Sequence, residues 1–305
     1  MRLLFLLVCS ILAFGIARGQ EKGMTPVVPN GVKETGVTRA VIVGISDYQN
    51  VKITDLQFAD RDALAFANYL KSPAGGKVDS THITLLLNEK ATAGQFVSAL
   101  YGLMEESKEG DLVIIYFSGH GDVESTTISQ PGFLLCWDAP ARVYMGGGTF
   151  GLSYLQEVIS TLALSTKAKV LVITDACRAG KLAGSSIGGS QATAANLSKQ
   201  YANEVKIMSC QPDELSLEGK SWGGGRGVFS YYFLAGVQGL ADKNNDGAVN
   251  LAEIERYLGD KVPTAVAPHS QIPMTIGNKN TIISKVDPKV LEALKKVDLD
   301  GGFYE

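Results

Sequence analysis

The chain has 305 residues, 45% of them hydrophobic and 19% charged, with a formal net charge of −3. That composition is ordinary for a folded protein, and the length holds one large domain or two small ones. A slightly acidic balance without any local run of Lys or Arg gives no electrostatic case for a nucleic-acid partner.

The N-terminus departs from this average. Arg2 is followed by an almost wholly apolar stretch over residues 3–17, and Ala17-Arg18-Gly19 puts small residues at the two positions a signal peptidase reads. Residues 1–19 are expected to be a secretory signal, too short to stay as a membrane anchor; an uncleaved anchor helix is the alternative. The protein is therefore expected to be exported, secreted or periplasmic, with no stable membrane insertion once the signal is removed. Residues 20–37 mix Pro26, Pro29, Gly31 and Gly36 with polar residues and read as a linker.

From there strands and helices alternate. Buried-strand patterns cover residues 39–45, 82–87, 111–117 and 170–174. Between them lie helical stretches at 59–70, with Ala59, Ala63, Phe66, Ala67 and Leu70 on one face, at 91–105 and at 152–164. A short apolar run at 132–137 precedes Asp138 and a loose loop containing Gly146-Gly147-Gly148. A Gly-, Ser- and Ala-rich stretch at 181–199 shows no periodicity. A strand at 205–210, helices at 228–240 and 251–258, and a last helix opening on Asp287-Pro288 follow. Such alternation predicts an α/β domain over 38–284, a mostly parallel central sheet with helices on both faces, and a C-terminal helix and tail over 285–305.

Two predicted strands end in chemistry. The strand at 170–174 runs into Asp175-Ala-Cys177-Arg-Ala-Gly180, and the strand at 111–117 into Ser118-Gly-His120-Gly121. The carboxyl edge of an open α/β sheet is where ligands bind. A thiol attacks only as thiolate, and an imidazole beside it takes the proton. Cys177 is the expected nucleophile and His120 the expected acid–base, with the N–H groups of Gly121 and Cys177 holding the oxyanion. With the signal removed, Cys136 and Cys210 remain besides Cys177; both lie in strand-like runs and read as core residues.

These motifs resemble those of the caspase-like cysteine peptidases. Tyr116-Phe-Ser-Gly-His-Gly121 matches the His motif and Thr174-Asp-Ala-Cys-Arg-Ala-Gly180 the Cys motif. The resemblance extends over residues 41–48, 56–63, 133–139, 209–218 and Gly227-Val-Phe-Ser230, about 39–273 in all. It implies the caspase-like three-layer sandwich. Caspases carry Gln-Ala-Cys-Arg-Gly where this chain has Asp175-Ala-Cys-Arg-Ala, which is the metacaspase-like arrangement. In that arrangement Asp175 and Asp62 form the floor of the primary specificity pocket, implying cleavage of peptide or protein substrates after Arg or Lys. For Asp62 the alternative is a helix first-turn residue favoured by the macrodipole. By the same resemblance, residues 181–199 lie where a processing loop bracketed by Lys181 and Lys199 would be; a mobile surface loop beside the active site, without processing, is the favoured alternative. Trp222 with Gly223–Gly225 would be a substrate-binding loop.

Residues 242–253 fit the EF-hand loop. Asp242, Asn244, Asp246 and Asn250 supply oxygens at positions one, three, five and nine; Gly247 stands at six, the Ala248 carbonyl at seven and Glu253 at twelve. A Ca²⁺ site is expected; an acidic turn of the same shape that binds nothing is the alternative. No organic cofactor is expected. Two other functions compete with the exported peptidase. One is the same fold acting as a binding or scaffolding module with little turnover. The other is an unrelated α/β hydrolase or transferase working on other acyl groups.

Overall fold

The computed structural model describes residues 36–176, 203–212 and 214–296. The expected signal, nearly all of the expected linker, Cys177 and the 181–199 stretch lie outside these residues. The chain begins with β1 (Thr38–Gly44), α1 (Ala59–Lys71), β2 (Ile83–Leu87), α2 (Ala93–Glu106) and β3 (Leu112–Ser118). The strands β4 (Gly121–Val123), β5 (Gly132–Leu135) and β6 (Thr149–Gly151) follow, then α3 (Leu152–Ser160), β7 (Lys169–Asp175) and β8 (Glu204–Met208). The rest comprises β9 (Glu218–Gly219), β10 (Arg226–Gly227), α4 (Val228–Ala235), β11 (Ala248–Asn250), α5 (Leu251–Val266), β12 (Met274–Ile276), β13 (Ile282–Lys285) and α6 (Pro288–Leu294).

Six strands form the central sheet in the order β12-β8-β7-β3-β1-β2, all parallel except β12. Its strands alternate between two cores, as the two-residue period of a pleated strand requires. Val41 and Val43, Val113, Ile115 and Phe117, and Val170 and Val172 face one side, where Phe96 and Leu100 of α2 and Leu155 and Ile159 of α3 meet them. Ala40 and Ile42, Ile114 and Tyr116, and Leu171 and Ile173 face the other, against Phe66 and Leu70 of α1, Phe229 and Phe233 of α4, and Ile254 and Leu258 of α5. A sheet apolar on both faces is stable only between two helical layers, so the fold is a three-layer α/β sandwich.

The register sets the position of the site. Gly44 of β1, Ser118 of β3 and Asp175 of β7 lie level, so three strands end together at the carboxyl edge. Gly44 also lets α1 lie close: a Cβ there would stand 2.4 Å from Ala63 Cβ and 2.7 Å from the Ala59 carbonyl. The first turn of α1 therefore crosses the end of the sheet.

The apolar run at 132–137 supplies β5, which sits between β4 and β6 in a small antiparallel sheet. Two elements differ from expectation. The helix expected to end near Leu258 continues as α5 to Val266, with Pro263 inside it. α4 stops at Ala235 and passes into a π-helical turn in which Gly239 takes φ +120°, a backbone state open mainly to glycine. The last helix does begin on Asp287, whose carboxylate accepts from the N–H of Lys289, with Pro288 at the first helical position.

Candidate active site

His120 follows β3 directly and is held by the loop after β1. Its backbone N–H donates to the Tyr48 hydroxyl at 2.7 Å, and the Tyr48 ring lies 5.1 Å, centroid to centroid, from the imidazole. The ring Nε2 lies 2.7 Å from the Thr54 carbonyl. A carbonyl only accepts, so Nε2 carries a proton and Nδ1 is the nitrogen left for proton exchange. The loop is itself pinned: Asp55 accepts from the Tyr48 N–H at 3.0 Å, and the Leu56 N–H donates to the Ser46 carbonyl at 2.8 Å. Next to His120, Gly121 stands opposite Leu134, while the Leu135 N–H donates to the His120 carbonyl at 2.9 Å. That pattern makes Gly121–Leu134 a non-hydrogen-bonded pair, so this ladder does not use the Gly121 N–H.

Cys177 lies outside the described residues; its neighbour Ala176 does not. The Ala176 N–H donates to Ser209 Oγ at 3.2 Å, and the same hydroxyl lies 3.3 Å from the Ala176 carbonyl. The Gly119 N–H donates to the Asp175 carbonyl at 3.1 Å. The chain leading to His120 is thus tied to the chain leading to Cys177.

Asp62 and Asp175 meet. Asp62, 1% exposed, accepts from Arg226 Nε and, at 2.8 Å, from the Gly227 N–H. Asp175, 6% exposed, accepts from Ser216 Oγ and from the N–H (3.2 Å) and hydroxyl (2.6 Å) of Ser230. A Cβ on Gly227 would lie 2.6 Å from Asp175 Oδ2 and 2.8 Å from Asp62 Oδ2, so the two carboxylates close on the one residue type that fits between them. Burial pushes Asp62 up to about 7 against the lowering pull of Arg226, and the Asp175 charge adds to the rise. Burial also raises Asp175, opposed by its serine hydrogen bonds. A cavity of about 30 Å³ opens on both carboxylates and on Ser118, Gly119 and His120. The two carboxyl groups and the imidazole thus share one cleft at the carboxyl edge of the sheet.

A family model described as "Caspase domain" matches residues 37–281. This chain belongs to the caspase-domain family. The family is one of cysteine peptidases, which implies protein or peptide substrates. Among solved structures the chain is similar to the crystal structure of protein GSU0716 from Geobacter sulfurreducens. The two are 17% identical, with a TM-score of 0.53 over 84% of this chain and 96% of that one. That likeness concerns the fold alone. A search of curated proteins finds no match.

The caspase domain here holds residues that the sequence reading missed. Glu218 lines the cavity and accepts from the N–H groups of Gln57 (2.7 Å) and Phe58 (3.0 Å), tying the β9–β10 ribbon to the start of α1. Arg226, Ser216 and Ser230 supply the partners of the two buried carboxylates. Trp222 lines a larger cavity of about 690 Å³, which shares Leu217 with the small one. One distinction does not hold. Cys136 and Cys210 lie just beyond β5 and β8, as Cys177 lies just beyond β7, so following a strand does not set Cys177 apart. Both are fully buried, and burial pushes the Cys136 thiol far up.

The 242–253 loop has the local bonding of an EF-hand entrance. Asp242 Oδ2 accepts from the Gly247 N–H at 3.0 Å, while Asp242 Oδ1 is buried without a hydrogen-bond partner. Asn244 and Asp246 bond each other, and β11, running from Ala248 to Asn250, pairs with β13. Glu253 fits less well: its oxygens accept from the N–H groups of Lys243 (3.3 Å) and Asn250 (3.1 Å) in the capping box of α5. Among the described residues, no three His, Cys, Asp or Glu side chains are gathered closely enough to hold a metal ion. Nor is any described helix long and apolar enough to cross a membrane.

Proposed function

We propose that this protein is an exported, metacaspase-like cysteine endopeptidase that cleaves after basic residues with a His120/Cys177 pair. The observation that carries the reading is the fixed tautomer of His120. With Nε2–H committed to the Thr54 carbonyl, Nδ1 is free to accept a proton at the edge where β7 leads into Cys177. In this mechanism His120 Nδ1 takes the thiol proton and the Cys177 sulfur attacks the scissile carbonyl carbon. The N–H groups of Gly121 and Cys177 hold the oxyanion. His120 then gives its proton to the departing amine, and water hydrolyses the thioester. Asp62 and Asp175 receive the basic side chain; two buried carboxylates reject an acidic one.

The test is turnover of fluorogenic peptides ending in Lys, Arg or Asp by the full-length protein and its Cys177→Ala variant. Turnover after a basic residue, absent in the variant, is expected. Turnover only after Asp would remove the pocket assignment, and equal turnover in both proteins would remove Cys177. Export predicts that protein recovered from the producing cells begins at Gln20 by mass spectrometry; an intact Met1 contradicts it.

Ca²⁺ binding at residues 242–253 is a second proposal, carried by the unpartnered Asp242 Oδ1. Asp242, Asn244, Asp246, Asn250 and the Ala248 carbonyl would hold the ion, joined by Glu253 once it leaves its capping box. No catalytic step depends on it. Calorimetric titration of the full chain with Ca²⁺ is expected to show one site; no heat at millimolar Ca²⁺ contradicts it.

A further inference from the structure

One carboxylate of the pocket beside His120 already binds a cation of its own chain. Arg226 Nε and the Gly227 N–H occupy one oxygen each of Asp62. Ser216 occupies one oxygen of Asp175, and the N–H and hydroxyl of Ser230 the other. At about four acceptor sites per carboxylate, the pair offers about eight, of which its own chain fills five.

Arg and Lys place different demands on such a pocket. A guanidinium binds as a planar fork laid along both oxygens of one carboxylate. On Asp62 both oxygens are engaged by Arg226 and Gly227, and on Asp175 by the two serines. An ammonium is a compact point charge with three rotatable donors and needs no free edge. Space favours it too. A water requires some 10–15 Å³ of such volume, so a cavity of about 30 Å³ takes about two or three water-sized groups. That narrow floor admits a compact ammonium more readily than a planar guanidinium. Nor can the floor shift readily, because Gly227 leaves no slack between the carboxylates.

We propose that Arg226 is a specificity-determining residue that makes this pocket select Lys over Arg at the position before the scissile bond. The proposal rests on Asp62 and Asp175 being the substrate-binding carboxylates. With both ionised, Arg226 leaves one net negative charge for one guest ammonium. It also takes the Asp62 oxygen that one arm of an Arg substrate's fork would need.

The experiment compares kcat/KM for matched peptides ending in Lys and Arg, using the full chain and its Arg226→Met variant. Wild type is expected to favour Lys at least tenfold. In Arg226→Met the Lys/Arg ratio is expected to fall at least tenfold as Asp62 opens to the substrate guanidinium. Added guanidinium ion, refilling the vacated place, is expected to restore the Lys preference, which a merely structural role for Arg226 would not produce. Should Arg226→Met fail to fold, Arg226→Lys serves: it keeps a charge on Asp62 and is expected to keep the Lys preference. A wild type that prefers Arg, or a ratio unchanged in folded Arg226→Met, overturns the proposal. Cys177-dependent cleavage after neither basic residue overturns instead the reading of Asp62 and Asp175. Labelling of Cys177 by Lys- and Arg-ending peptide electrophiles, read by mass, gives the same ratio without turnover, and no labelling by either overturns both.

Discussion

The protein has two groups of carboxylates with opposite physical characters. Asp62 and Asp175 are buried at the end of the sheet, and their partners are separated from them by 41 to 165 residues of chain. Asp242, Asp246 and Glu253 sit in one short segment, and their hydrogen-bond partners lie within ten residues. In the first group tertiary structure decides where each oxygen points, so burial moves the charge equilibria. In the second the loop's own N–H groups and side chains engage every carboxylate, although Asp242 Oδ1 is left without a partner, and Asp246 remains exposed. Desolvation under a rigid scaffold makes a carboxylate selective; acidic composition does not.

Glycine substitutions break the comparison most sharply. Gly227→Ala drives a methyl into both buried carboxylates. It is expected to lower kcat/KM for basic peptides at least 100-fold and to cost about 2–4 kcal/mol of stability, an overpacking and desolvation penalty. Gly247 has φ +84° but open space around its Cβ position. Gly247→Ala is expected to cost only about 1 kcal/mol, the left-handed backbone penalty, and to leave turnover unchanged. Urea titration and peptide kinetics on both variants check this.

The pH response follows in size. Asp62 is raised from 3.8 to about 7, so below 7 its carboxyl in the folded protein is largely protonated and neutral. A cation binds the ionised form and expels that proton. The inhibition constant of a competitive lysine amide is therefore expected to fall about tenfold per unit as pH rises toward 7, and to level off above it. Asp62→Asn is expected to remove this slope. An inhibition constant flat from pH 5 to 8 in the wild type contradicts the assignment.

Smaller effects are expected from the residues that position His120 and from the loop. Tyr48→Phe removes the acceptor of the His120 N–H while keeping the ring. It is expected to lower kcat about tenfold and leave the lysine-amide inhibition constant within twofold. Glu253→Ala removes one acceptor of the capping box of α5. About 1 kcal/mol of stability and the Ca²⁺ heat are expected to be lost, with kcat/KM unchanged.

The sequence carried the sheet well. Runs such as Val41-Ile-Val and Val113-Ile-Ile are apolar on both faces, and that pattern has few outcomes besides a buried parallel strand. His120 was legible because it follows such a strand, whereas the pocket role of Asp175 came from the family resemblance. Asp62 needed the family resemblance, since a carboxylate in a helix's first turn has an ordinary local explanation. Arg226, Ser216, Glu218 and Ser230 were not legible. Each is one polar residue with no local mark of its role, even where its segment matched the family, and its meaning arises only when β9, β10 and α4 fold across the end of β7. The run at 132–137 was seen as apolar and short, but its place in a separate small sheet depends on its pairing with β4 and β6.

The central claim is that a Cys177 thiolate served by His120 works beside a pocket built for a cation. Incubating a denatured protein mixture with the full-length chain, and sequencing the new N-termini by mass spectrometry, tests it most directly. A basic residue, chiefly Lys, is expected immediately before each new terminus, with no new termini from Cys177→Ala. Cleavage after acidic or apolar residues, or an unchanged set of termini in the variant, would contradict it.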